Sequence, residues 1–260
     1  MLIATVDRAW LHRLSPVDPF AHPQVGPGSL EAVGTLLDGA IGLFQHQRLS
    51  AAAPPLTVEA YVERVAACYY GGRATPPLLR RAAERFAAAG REDLARWSRR
   101  TAGAEDHDHL ALADLEELGY PPDLVETIPC PPTMEKAIRY FTDCVEGPAP
   151  VSCLGYVYAL ERPAALVEAS YVEAIEKLLG PTVNATRCLR WHSSVGEEPH
   201  HIDILLRVIA GLPADDRTTV VRAVYETSRI MFADSPPGGN GTDPPQRHSG
   251  TDVSTERTST

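Results

Sequence analysis

Residues 91–118 read REDLARWSRRTAGAEDHDHLALADLEEL, and their periodicity decides the fold class. At 100° per residue, Leu94, Trp97, Thr101, Ala104, Ala111, Leu112, Leu115 and Leu118 share one face, which predicts one long amphipathic helix. Glu105 and Asp108 fall on that same apolar face, with His109 at one edge and His107 at the other. Burying unpaired carboxylates is costly, so this face needs a metal ion or a basic partner.

Outward from this stretch, alanine- and leucine-rich segments of the same period recur at about 29–48, 57–70, 76–89, 133–146, 150–161, 163–179, 182–196, 198–211 and 214–233. Alternating β-branched runs are almost absent, so the chain is all-α. Thr57 and Thr133 predict helix starts, and Gly90, Gly119 and Gly180 predict stops. Pro163 and Pro199 each break or restart a helix, because proline lacks the N–H and collides with the preceding turn. Val220, Val224, Thr227 and Met231 form the core stripe of the last helix. Four prolines and two glycines between Ser15 and Ser29 make residues 1–28 an irregular arm ahead of a helical domain over 29–233. Residues 234–260 carry a single large apolar residue, Val253, and read as a disordered tail.

The chain of 260 residues is 44% hydrophobic with a formal charge of −10, ample for a globular core. Thirty-four acidic against 24 basic residues remove the electrostatic reason to expect nucleic acid or an anionic membrane, leaving a small molecule as the expected partner. Without a signal-like or spanning apolar run, the expected location is the cytoplasm. The five scattered cysteines, Cys68, Cys130, Cys144, Cys153 and Cys188, suggest neither a disulfide framework nor a thiolate zinc site, and read as small buried hydrophobes.

Five of the nine histidines fall in two clusters rich in carboxylates, Glu105-Asp106-His107-Asp108-His109 and the span from His192 through Glu197, Glu198 and Pro199 to His200 and His201. Imidazole with carboxylate is the composition of an iron, manganese or zinc site. A third element is Glu161, the one polar member of the stripe Leu154, Val157, Glu161, Ala165. Glu197 and His200 lie three apart, and the break at Pro199 lets them converge with His192.

The run His107-Asp108-x-Leu110-Ala111-Leu112-x-Asp114-Leu115-x-x-Leu118-Gly119, then Leu154-Gly155-Tyr156-x-Tyr158-x-Leu160-Glu161, then Leu189-x-x-His192 followed by Glu197-x-x-His200, resembles the haem-oxygenase-like diiron oxidases. That superfamily also contains pyrroloquinoline-quinone-synthase-like and thiaminase-II-like proteins, and the resemblance covers roughly residues 29–233. It implies a bundle of about seven core helices that supply a Glu-x-x-His, a lone Glu and a His-x-x-x-Asp-x-x-His. His107 then matches the first His, Glu161 the lone Glu, and His192 the start of the last motif. The first Glu falls on Ala104 with Glu105 next door, and the Asp falls on Gly196 with Glu197 one later. His200 matches the final His if one extra residue is accommodated.

The implied metal set is Glu105, His107, Glu161, His192, Glu197 and His200, holding two Fe(II) per chain with O2 as co-substrate. Helix phase favours Glu105 and Asp108 over His107, and whether Glu105, Asp108 or His109 stands in for Ala104 stays open. The implied activity is oxidation of a small amino-acid-, amine- or fatty-acid-like substrate in natural-product biosynthesis, in a monomer or homodimer. Arg96, Arg99, Arg100 and Arg162 are the cations near these motifs for a substrate carboxylate. Two other readings stand beside this one. A metal-free thiaminase-like hydrolase or cofactorless oxidase would use a thiol such as Cys68, and a non-catalytic helical protein would have His107, Glu161 and His192 satisfying each other.

Overall fold

The computed structural model describes residues 28–50, 55–105, 107–125, 127–196 and 199–232, although the side chains of 45–50, 199 and 200 are not described. The expected N-terminal arm, apart from Gly28, and the expected C-terminal tail lie outside these residues. Among the described residues there are eleven helices and no strand. They are α1 (Leu30–Ser50), α2 (Val58–Ala88), α3 (Glu92–Ala104), α4 (Asp108–Glu117), the single turn α5 (Pro122–Val125), α6 (Pro132–Glu146), α7 (Ser152–Ala165), α8 (Ala169–Leu179), α9 (Arg187–His192), α10 (Pro199–Ala210) and α11 (Ala214–Phe232). None is long and apolar enough to cross a membrane.

Local chemistry sets several of these limits as expected. Thr57 caps α2 by accepting the Ala60 N–H at 3.2 Å, and Gly90, Gly119 and Gly180 take φ of 72, 93 and 86° after α2, α4 and α8. Pro199 opens α10, where a missing N–H costs nothing. Thr133, by contrast, lies inside the first turn of α6, which starts at Pro132 with Pro131 before it and has no side-chain cap bond.

Packing overrides the expected breaks elsewhere. The segments 57–70 and 76–89 are one 31-residue helix, α2, running through Pro76 and Pro77. Its faces are covered by α3, α4 and α6, and buried Tyr61, Val65, Leu79, Ala82 and Phe86 spread along its length. Burial at this scale outweighs the roughly 3 kcal/mol that an interior proline costs. Likewise Pro163 does not end α7, which continues to Ala165.

The decisive departure is in residues 91–118, which form two helices rather than one. α3 ends at Ala104, with Glu105 at its C-cap, and His107 is the N-cap residue of α4. Just after the break the start of α4 packs closely on α2, where a Cβ added at Gly72 would stand 3.2 Å from the Cβ of Asp108. The break is also where the chain passes between two apolar cores. Leu94, Trp97 and Ala102 belong to the larger, with Val157 and Leu205, whereas Ala111 and Leu115 belong to the smaller, with Val65, Ile175 and Leu189.

Candidate metal centre

Four of the six expected site residues meet at the seam between these cores. Glu105 and His107 come from the α3–α4 break and are 6% and 7% exposed. Glu161 comes from the last turns of α7, and His192 is the final residue of α9. Helix phase had placed Glu105 inward correctly. It had disfavoured His107 because it assumed an unbroken helix, and the break turns His107 in while leaving Asp108 half-buried beside Gly72 and His109 exposed. Glu197 and the side chain of His200 lie outside the described residues.

Each ring is oriented by a hydrogen bond. His107 Nδ1 lies 2.9 Å from the Ala104 carbonyl oxygen, which can only accept, so Nδ1 carries the proton and Nε2 is left with its lone pair. That Nε2 lies 2.9 Å from His192 Nε2 and 4.0 Å from a Glu105 carboxylate oxygen. On the far side, His192 Nδ1 lies 3.5 Å from Glu161 Oε2. Burial disfavours a charge on His192, but the hydrogen-bonded Glu161 carboxylate outweighs it and raises the His192 pKa to about 9. Burial also opposes ionisation of Glu161, and His192 with His107 and His201 overcomes this and lowers its pKa. Burial and the His192 charge both lower the pKa of His107, which stays neutral.

The short helix that carries His192 is pinned at both ends. At its start, the fully buried Asp114 of α4 accepts the backbone N–H groups of Arg187 at 3.1 Å and Cys188 at 2.8 Å, and pairs with the Arg187 guanidinium at 3.2 Å. At its end, the backbone and hydroxyl of Ser194 both donate to the Val167 carbonyl just beyond α7. Gly196 follows in the turn made by its N–H to Ser193 O. A Cβ there would overlap the carbonyls of Arg190 and Trp191, so the position matched to the motif Asp has no room for a side chain.

A cavity of about 110 Å³ adjoins the two carboxylates. Trp97, Arg100, Thr101, Ala104 and Glu105 form one wall at helical spacing on the α3 face, and Val157 and Glu161 contribute the α7 side. α10 closes it with His201, Ile202, Ile204 and Leu205. The sequence reading did not single out His201, whose inward phase is set by the restart at Pro199, nor the anchoring role of Asp114. The five cysteines are free, with Cys144, Cys153 and Cys188 buried. Cys68, whose pKa is lowered to about 6 by a hydrogen bond from Cys188, packs in the smaller core and does not line the cavity.

Neutral imidazole and carboxylate are suitable iron donors; His107 Nε2 and the nearby Glu105 supply them directly, and His192 Nε2 joins them once its proton is lost. Among the described residues, however, no group of three or more His, Cys, Asp or Glu side chains is already arranged to hold a metal ion. A family model described as an iron-containing redox enzyme matches residues 65–231, more than half of the chain. No curated protein and no solved structure gives a significant match.

Proposed function

The chain belongs to the iron-containing redox enzyme family, with its haem-oxygenase-like all-α fold, and is an oxidoreductase; from that premise we propose that it is a non-haem iron oxidase or oxygenase using O2 on a small organic substrate. The observation that supports this reading is the pair of imidazole Nε2 atoms facing each other at 2.9 Å between two carboxylates that line a cavity.

Glu105, His107 and His192 are the residues that would hold iron, with Glu161 holding His192 from behind or joining the ligands itself. Iron bound there supplies the electrons that activate O2. The chain's own groups prepare that position. The Ala104 carbonyl fixes the His107 tautomer so that Nε2 is the free donor, and Glu161 orients the His192 ring and raises its basicity, as carboxylate partners of ligating histidines do. Val157, Ile202 and Leu205 give the adjoining cavity an apolar wall against which the non-reacting part of a substrate would lie. A second iron, and with it the diiron reading, rests on Glu197 and His200 completing the set. The substrate class is an amino acid, amine or fatty acid of the kind consumed in natural-product biosynthesis.

Anaerobic Fe(II) titration with metal counting, followed by O2 exposure, tests this. Two irons per chain, with O2 consumed, are expected. One iron would overturn the diiron part alone. No iron would overturn the whole reading in favour of a non-catalytic bundle, for which the mutual satisfaction of His107, His192 and Glu161 is the specific argument.

A further inference from the structure

Two of the five free cysteines come from distant parts of the chain and meet in the smaller apolar core. Cys68 lies midway along α2, and Cys188 lies in the first turn of α9, where Asp114 holds its backbone N–H. Their thiols are hydrogen-bonded to each other. Neither lines the cavity, and the iron chemistry proposed above uses neither.

The two thiols are chemically unequal. Cys68 is partly exposed, whereas Cys188 is buried. The hydrogen bond from Cys188, with Arg64 one turn earlier on α2, lowers the Cys68 pKa to about 6, and the same bond together with burial raises that of Cys188. The other three thiols are raised by burial, and they bond elsewhere or not to sulfur: Cys144 to Tyr140, Cys130 to the Pro131 carbonyl. A partly exposed nucleophilic sulfur with a second thiol in contact is the arrangement of a disulfide-forming pair, in which the first attacks an oxidant and the second resolves the product.

We propose that Cys68 and Cys188 are an oxidation site of this protein, closing to a disulfide on reaction with hydrogen peroxide, and that the closed form holds iron less well. The Cys68 sulfur attacks one peroxide oxygen and the O–O bond breaks, leaving a sulfenic acid on Cys68 and a hydroxide that takes up a proton to become water. The Cys188 sulfur then attacks the Cys68 sulfur, and its proton leaves with the displaced hydroxide as a second water. Two thiols lose two electrons and one peroxide gains them. Bonding brings the sulfurs to about 2.05 Å, closer than a hydrogen bond leaves them, so Cys188 is drawn towards α2. His192 follows Cys188 by one turn on the same short helix and moves with it, and metal–ligand distances tolerate only about 0.2 Å. The effect on iron rests on the oxidase reading; the disulfide does not.

The test treats the full chain, reduced and freed of reductant, with hydrogen peroxide in EDTA and maps its cysteines by peptide mass spectrometry. One intramolecular Cys68–Cys188 disulfide is expected, reversed by dithiothreitol and formed at least about tenfold faster than Cys130, the other partly exposed thiol, is oxidised. In dimedone, which traps sulfenic acids, Cys188→Ala should stop at a labelled Cys68, and Cys130→Ala should leave the disulfide unchanged. A Cys68 that reacts no faster than Cys130, its oxidation to sulfinic acid without a cross-link, or its pairing with another cysteine overturns the assignment, and the wild-type map decides this whether or not the variants fold. Anaerobic Fe(II) titration after removal of EDTA should show the oxidised form binding at least about tenfold more weakly than the reduced form, as displacement of a ligand does. Equal affinity overturns the coupling to iron. A reduced form that takes up no iron while the disulfide still closes overturns the oxidase reading, and the coupling with it, and leaves the oxidation site standing.

Discussion

The Nε2 atoms of His107 and His192 lie 2.9 Å apart although the residues are 85 apart in sequence. Two nitrogens at that distance share one proton, and their neighbours decide which carries it. Ala104 takes the Nδ1 proton of His107 and leaves its Nε2 an acceptor, while Glu161 keeps His192 protonated on both nitrogens up to a pH of about 9. The metal-free site is thus a closed chain from the Ala104 carbonyl through both rings to the Glu161 carboxylate.

That chain fixes the pH dependence of metal-free stability. The folded pKa of His192, about 9, lies above its ordinary value of 6.5, so its contribution is complete below 6.5 and is lost as pH rises through 9. Glu161, lowered from 4.5, contributes above 4.5 and loses this as pH falls through its folded value. The His192 shift is worth about 3 kcal/mol as an order of magnitude. Thermal denaturation in EDTA across pH should show the alkaline loss in the wild type and a much smaller one in Glu161→Gln; equal losses in both proteins contradict the pairing.

Metal uptake has to remove the shared proton, because a ligating Nε2 needs its lone pair. Fe(II) affinity should therefore rise with pH up to about 9. Anaerobic calorimetry in buffers of different ionisation enthalpy should detect about one proton released by this pair. A pH-independent affinity would place iron elsewhere.

Asp114 holds the start of α9 from 74 residues away. Asp114→Ala leaves the backbone N–H groups of Arg187 and Cys188 without their acceptor, while the Arg187 guanidinium keeps Glu117, and should cost about 1–3 kcal/mol, the range for leaving a buried donor unsatisfied. Denaturant unfolding reads this loss. Where the variant still folds, Fe(II) should bind more weakly, since the helix bearing His192 has lost its anchor; unchanged affinity would show that the Ser194 contacts suffice.

Gly155 lies where α7 crosses α11, and a Cβ there would stand 2.7 Å from Ala223 Cβ and would also overlap the Val220 carbonyl. Gly155→Ala should cost at least about 1–3 kcal/mol by overpacking. Because the same helix carries Glu161, iron binding should weaken with it. Denaturation midpoints and metal counts on one preparation check both.

Gly196→Asp places a carboxylate at the position matched to the motif Asp, yet its Cβ would run into the Arg190 and Trp191 carbonyls. The expected result is a lower melting temperature with no gain in iron stoichiometry. A gain would mean that the turn after His192 reorganises readily to admit a ligand.

Sequence periodicity alone determined the all-α class, the burial of Glu105, the helix ends at Gly90, Gly119 and Gly180, and the core stripe of α11. These depend on near neighbours, because a helical face and a left-handed cap are set within one or two turns. The nomination of His107, Glu161 and His192 as a set came from the family resemblance that three motifs carry, and helix phase alone argued against His107. Only the tertiary structure showed that residues 91–118 break at Glu105, with Asp108 packed against Gly72 on another helix. Tertiary packing likewise carried α2 through Pro76 and Pro77 and assigned Asp114 to the start of α9. Periodicity records which face a residue occupies on an unbroken helix. It holds no record of where packing between distant elements bends that helix, and His107, Glu105, His192 and Glu161 meet at such a bend.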